Sequence, residues 1–190
     1  MHIYAKVIKR IFDIFISLIA LAFLSPVIIF CSVIIFLQDT GPIIFKQNRV
    51  GKDGLIFLIY KFRSMPVNTS NIQSSEAVEL RITKFGKFMR RTNVDELPQL
   101  FNILKGDMSF VGPRPPIPTQ ANLVKLRKEN GALGCLPGLT GWAQVNAYNL
   151  MSDERKALFD AEYAANITFF MDFKIILRTF LYLTKTPPTY

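Results

Sequence analysis

Two adjacent carboxylates, Asp95 and Glu96, follow a run of cations at Lys84, Lys87, Arg90 and Arg91. Lys105-Gly106-Asp107-Met108-Ser109 and Gly112-Pro113-Arg114-Pro115 come soon after. Carboxylates set among cations and tight turns suit a site that handles phosphate with a divalent metal, for which Asp95 and Glu96 are the candidate ligands. An Arg held between prolines can grip a phosphate with a planar, two-pronged fork. The same residues also have a purely local account: Asn93 as N-cap with Glu96 three residues on spells a capping box. The two accounts are compatible, because a carboxylate in a first helical turn is held ionised by the helix dipole. Pro98 requires that the helix start near Asp95 or bend at Pro98.

Composition narrows the chemistry. The only histidine is His2, which removes a Ser-His-Asp triad, a Cys-His pair and a His-rich zinc site. There is no GxGxxG and no GxxxxGK[ST] run. Cys31 and Cys135 make no CxxC pattern, so no disulfide framework is expected and a reducing compartment is. What remains is carboxylates, Lys, Arg, hydroxyls and a metal. A net charge of +9 calls for an anionic partner: nucleic acid, anionic membrane lipid or a phosphorylated substrate. With 50% hydrophobic residues and 17 Phe, the balance favours lipid.

The positioning elements follow from periodicity and punctuation. A chain of 190 residues is one domain with at most an appendage. From Ile14 to Leu37 no residue is charged, long enough to span a bilayer. It is too long for a cleaved signal peptide, and no Ala-x-Ala site ends it. Ser25-Pro26 interrupts it near the middle. Either a kinked span or a helix-break-helix returning to the same face fits. Lys6, Lys9 and Arg10 before the run balance Lys46, Arg49 and Lys52 after it, as a re-entrant segment with both flanks cytoplasmic requires. Ile43–Val50 and Leu55–Arg63 read as a hairpin joined by Gly51-Lys52-Asp53-Gly54, with Lys61 and Arg63 on one side of the second strand. Residues 67–79 read as a polar loop without chemistry. Thr83–Arg91 is an amphipathic helix with Phe85, Phe88 and Met89 opposite its cations, suited to a membrane interface or to a core. Leu97–Leu104 is helix stopped by Gly106. Residues 119–130 read as a charged surface helix, 131–140 as loop and 141–146 as extended, with Trp142 in the core or as an interfacial anchor. Ser152 caps a helix with Leu158, Phe159 and Tyr163 as its apolar positions. Phe169–Leu183 is a last apolar helix, interrupted by Asp172, Lys174 and Arg178. The fold class is α+β, mainly helical, with an N-terminal membrane segment over 1–38 and a membrane-associated catalytic domain over 39–190.

Several linked motifs carry a resemblance. They are Lys9-Arg10-Ile11-Phe12-Asp13, Ser25-Pro26, Lys61-Phe62-Arg63-Ser64-Met65 and Lys84-Phe85-Gly86-Lys87. Asp95-Glu96-Leu97-Pro98-Gln99-Leu100, Asn102-Ile103-Leu104-Lys105-Gly106-Asp107-Met108-Ser109, Val111-Gly112-Pro113-Arg114-Pro115 and Pro137-Gly138-Leu139-Thr140-Gly141 continue them. Over nearly its whole length the chain resembles the small monotopic phosphoglycosyl transferases, bacterial enzymes that initiate glycoconjugate assembly. The resemblance implies transfer of a sugar phosphate from a UDP-sugar to polyprenyl (undecaprenyl) phosphate, with release of UMP and with Mg²⁺. It implies a re-entrant helix hairpin broken at Ser25-Pro26, seated in the bacterial inner membrane with the catalytic domain on the cytoplasmic face. It makes Asp95 the nucleophile and Glu96 its partner, with Lys61, Arg90 and Arg114 on phosphates and Asp160 and Asp172 as acidic positions near the site. One departure stands out: the family's Gln-Val-Asn-Gly-Arg-Asn is here Gln144-Val145-Asn146-Ala147-Tyr148-Asn149. Tyr148 replaces the Arg, so the donor sugar does not transfer from relatives that keep it. The N-terminal extension of larger relatives is absent, which makes this a minimal catalytic unit. The contrasting readings are a non-enzymatic basic scaffold on the membrane and a nucleic-acid binder. The apolar run argues against nucleic acid, and UMP release from UDP-sugars separates the enzyme from both.

Overall fold

With no glycine between Lys9 and Gln38, the first apolar stretch folds as one α-helix, α1 (Lys9–Gln38), entered through a π-helical turn at Tyr4–Ile8. The structure, a computed structural model, describes residues 3–66, 82–146 and 151–183. The 67–79 segment and Tyr148 therefore lie outside the described residues. The break predicted at Ser25-Pro26 is not found, since helical geometry continues through both residues. Proline lacks the N–H that would bond the carbonyl of Ala22, and Ser25 Oγ donates to that carbonyl at 2.8 Å instead. Among the described residues, α1 alone is long and apolar enough to cross a membrane.

One stripe of α1 faces the rest of the protein. Asp13, Ser17, Cys31 and Ile35 are buried, and Ala20, Leu21 and Ile28 pack between them against two hydrophobic cores. Spacings of three and four keep these positions on one side. The other side is apolar and open, with Phe15, Ile19, Phe23, Phe30 and Leu37 exposed. Both ends of α1 are tied down by guanidinium groups. Arg10 donates to the carbonyls of Ile103 and Leu104, and Arg63 donates to those of Ile35 and Asp39.

The predicted hairpin is present. β1 (Ile44–Val50) and β2 (Ile56–Phe62) pair antiparallel from Ile44↔Phe62 to Val50↔Ile56. The turn between them needs positive φ at Asp53 (56°) and Gly54 (83°), residue types that accept it. α2 (Lys84–Arg91) starts at Thr83, whose side chain accepts from the N–H of Gly86 at 2.9 Å. Gly86 lowers helix propensity, but a Cβ there would lie 2.2 Å from the Ser64 carbonyl oxygen. Glycine is what lets α2 lie directly on the chain leaving β2. Met89 is buried, while Phe88 is exposed and stacked on Phe85.

α3 (Gln99–Lys105) ends at Gly106 with φ 94°, as predicted. Its buried Asn102 donates to the Leu58 carbonyl at 2.7 Å and accepts from the Tyr60 N–H at 3.0 Å, fastening α3 to β2. β3 (Ser109–Val111) and β4 (Gly138–Thr140) form a second, parallel pair, so the end of the expected 131–140 loop is a strand. The backbones touch at glycines, since a Cβ on Gly138 would lie 2.1 Å from the Gly112 nitrogen. α4 (Ala121–Glu129) is not wholly a surface helix, because Leu123 and Arg127 are buried. α5 (Trp142–Val145) is one helical turn where extended chain is predicted, with Trp142 in the third core beside Val111, Tyr163 and Ile175. α6 (Asp153–Ala165) is capped by Ser152 as expected, but it buries Ala157, Asp160 and Tyr163 and exposes Leu158. α7 (Phe169–Leu183) turns Asp172 and Ile175 inward and leaves Phe170, Phe173, Phe180 and Leu181 exposed. The fold is α+β and mainly helical, as the sequence predicts.

Candidate active site

The two adjacent carboxylates sit on a tight turn rather than on a capped helix. Asn93 adopts a left-handed conformation (φ 54°) and its side chain makes no cap bond. Val94–Glu96 form a single 3-10 turn, and Pro98 then opens α3. The predicted capping box is not formed, because the Glu96 side chain is drawn elsewhere. Its Oε1 lies 2.7 Å from Lys61 Nζ and 3.1 Å from Arg114 Nη2. Lys61 arrives from β2 and Arg114 from the proline-rich segment after β3, so three separate stretches of chain converge on one carboxylate oxygen. Arg63, predicted on the same side of β2 as Lys61, instead binds the end of α1.

Asp95 differs from its neighbour. It is 7% exposed, and among the described residues it makes no hydrogen bond. Burial pushes its carboxyl up to about 6, with Lys61 pulling against the rise, Glu96 adding to it, and Arg90 and Arg114 opposing it further. Burial would raise Glu96 as well, yet the charges of Lys61 and Arg114 and their hydrogen bonds hold it at about 2. Adjacent residues with acidities driven apart mark a division of labour. Glu96 is a permanent anion that gathers cations. Asp95 is the more basic group and is ionised at neutral pH. Arg90 stands by, its Nε donating to Ser64 Oγ at 2.9 Å.

The remaining predicted acids are each committed to partners of their own. Asp160 and Arg127 form a fully buried ion pair, with Oδ2 at 2.6 Å from Nη2 and 2.8 Å from Nε. Asp172 accepts from Lys9 Nζ at 2.6 Å, Tyr4 Oη at 2.7 Å and Tyr163 Oη at 2.8 Å, joining the start of the chain to α6 and α7. Sequence reasoning missed Arg127 and Ser64. The only hint of Arg127 is that it shares a helical face with Leu123, four residues away. Ser64 has none beyond its place in the Lys61–Met65 motif.

A magnesium ion fits the donor set. Among the described residues no three His, Cys, Asp or Glu side chains gather into a cage. Where it serves phosphate substrates, Mg²⁺ commonly takes one or two carboxylates completed by phosphates and water, and Asp95 and Glu96 are the carboxylates that would supply them.

Comparison with known proteins agrees with this chemistry. The family model described as bacterial sugar transferase matches residues 4–186. The uncharacterized sugar transferase EpsL of Bacillus subtilis (strain 168) is 39% identical over 173 residues, covering 91% of this chain and 85% of that protein. The UDP-glucose:undecaprenyl-phosphate glucose-1-phosphate transferase of Escherichia coli (strain K12) is 37% identical over 183 residues, covering 92% of this chain and 39% of that protein. A UDP-N-acetylgalactosamine-undecaprenyl-phosphate N-acetylgalactosaminephosphotransferase of Aeromonas hydrophila is 38% identical over 190 residues, covering 90% and 42%. The chain thus spans most of the first relative and about two fifths of the other two.

Proposed function

The chain belongs to the bacterial sugar transferase family and is a phosphoglycosyl transferase, and on that premise we propose that it moves a sugar 1-phosphate from a UDP-sugar to polyprenyl phosphate through an ester on Asp95. The observation that carries this reading is the unequal pair: Glu96 locked by Lys61 and Arg114, and Asp95 buried, more basic and, among the described residues, without a side-chain hydrogen bond. An Asp95 oxygen attacks the β-phosphorus of the UDP-sugar. The bond from that phosphorus to the bridging oxygen breaks, and the oxygen leaves on UMP. A phosphate oxygen of the polyprenyl phosphate then attacks the same phosphorus, the bond to Asp95 breaks, and the carboxylate returns with polyprenyl-diphosphate-sugar as product. Splitting the transfer this way replaces one hard step by two easier ones. Lys61, Arg90 and Arg114 supply positive charge where the phosphoryl oxygens gain negative charge. Asp95 and Glu96 would hold Mg²⁺, which screens the phosphates when bound. A scaffold that only held anionic lipids would have no use for acidities driven apart on adjacent residues.

The stoichiometry of a half-reaction tests this. Enzyme given UDP-sugar without acceptor should release about one UMP per active site and gain the mass of a sugar phosphate on the peptide carrying Asp95. UMP release that strictly requires both substrates, with no adduct, would mean direct transfer.

The same reading seats α1 in the bacterial inner membrane as a re-entrant helix, with residues 39–190 on the cytoplasmic face. Supporting it are the two ends of α1, which Arg10 and Arg63 tie to one body. A helix crossing the ~30 Å hydrocarbon layer would leave only one end within reach of a body on one face. Single cysteines at Ile3 and Thr40, in a background lacking Cys31 and Cys135, should therefore react alike with an impermeant thiol reagent: protected in right-side-out vesicles and labelled in inverted ones. Labelling from opposite faces would establish a span.

A further inference from the structure

The segment that carries Arg114 is held by its carbonyls. Pro113, Pro115 and Pro116 have no N–H, so across four residues only Arg114 offers a backbone donor. Each of the four carbonyls meets a donor from elsewhere. The Gly138 N–H bonds Pro113 O at 2.9 Å, Arg49 Nη1 bonds Pro115 O at 3.1 Å, and the Val50 N–H bonds Pro116 O at 2.9 Å. The carbonyl of Arg114 itself is bonded by Arg127 Nη1 at 2.8 Å. That donor is a buried cation, and its Nε and Nη2 are held by Asp160 on α6.

We propose that the Arg127–Asp160 pair is a positioning device for Arg114, setting through one rigid guanidinium plane where the Arg114 side chain meets Glu96. A continuous line of contacts runs from Asp160 Oδ2 through Arg127 to the Arg114 carbonyl, and from Arg114 Nη2 to Glu96 beside Asp95. A buried ion pair is a poor way to gain stability, since well-packed apolar residues often do as well or better. What apolar residues cannot supply is a charge-assisted donor aimed at the main chain of the phosphate-gripping residue. Neither Arg127 nor Asp160 needs to touch substrate. The importance for turnover rests on the phosphoryl-transfer reading above, whereas the positioning itself does not.

The test replaces the pair together, Arg127→Met with Asp160→Leu, so that no buried charge is left alone. Arg127→Lys serves as a second variant, keeping the charge but offering one nitrogen in place of three. Two measurements follow on each. The first is the Arg114 side-chain Nε–H signal in nitrogen-15 NMR at constant pH, identified by its loss in Arg114→Lys, which needs no turnover. With Arg114 displaced from Glu96, that signal should shift from its native position. The second is UMP release. A misplacement of about 1 Å can cost on the order of 100-fold, and we expect a loss of that size in kcat with a smaller change in KM. In an Arg114→Ala background the same substitutions should change kcat by less than about twofold, because the residue they position is gone. An unchanged Arg114 Nε–H signal, or an equal loss of kcat with and without Arg114, would overturn the proposal. If native protein released no UMP at all, the function proposed above would fail, and the Arg114 signal would still decide this one.

Discussion

Asp95→Asn should stop turnover and leave a more stable protein. Asn keeps the shape of the side chain but cannot attack phosphorus, so UMP release should fall by on the order of 10⁴-fold or more. No adduct should form. The stability gain follows from the acidity of Asp95. The folded protein holds this proton up to about 6, against an ordinary value of 3.8. Between those values the folded state binds more protons than the unfolded, so stability falls as pH rises through the window. Asn has no such titration. The advantage of the variant should be near zero below about pH 4, grow to about pH 6 and stay constant above, reaching about 3 kcal/mol at most. Urea midpoints at pH 4 and pH 7.5 measure it. In the wild type the first step uses the ionised form, so its rate should climb with pH and level off above about 6. A variant that kept its activity, or lost stability at pH 7.5, would show that Asp95 is held for structural reasons.

The second large effect is expected of Arg114→Lys. Arg114 already shares Glu96 Oε1 with Lys61. A planar guanidinium can keep that contact with one nitrogen and present others to a phosphate in a fixed fork. An ammonium on a flexible stem gives a point charge and would lie next to that of Lys61 on a single oxygen. Charge is conserved and geometry is lost, so kcat should fall by about 10² to 10³, the scale of removing one donor from a charge-stabilising site. Turnover within about threefold of wild type would reduce Arg114 to a bulk electrostatic role.

Features encoded within a few residues were readable in advance. Gly106 stopping α3, Ser152 starting α6, and the Gly51–Gly54 turn between β1 and β2 are local events, and each is found where expected. Asp95, Glu96, Lys61 and Arg114 were singled out from residue type and motif, and the last three meet. What could not be read depends on contacts distant in sequence. The three-residue strands β3 and β4 have no periodicity to detect, and they exist because glycines at 112 and 138 let two backbones touch. Arg127 looked like a surface charge because nothing within α4 reveals Asp160, 33 residues further on. Glu96 satisfied the pattern of a capping box, but the field of two cations from β2 and the Arg114 segment outweighs one bond to a helix end.

The contacts along α1 also bear on how the protein is made. Tyr4 and Lys9 find their partner in Asp172, 168 and 163 residues later, and the inward stripe of α1 waits for β2, α2 and α3. At 5–20 residues per second, the stripe of α1 waits on the order of 3–15 s for α3, and Lys9 on the order of 10–30 s for Asp172. An apolar surface of this size left in water is an aggregation liability. The proposed membrane seating resolves this through timing: the bilayer receives the outward face as α1 leaves the ribosome and holds the stripe in place. On that seating, Lys61, Asp95, Glu96 and Arg114 would be assembled onto a helix already docked, and membrane capture would be the opening step of biogenesis.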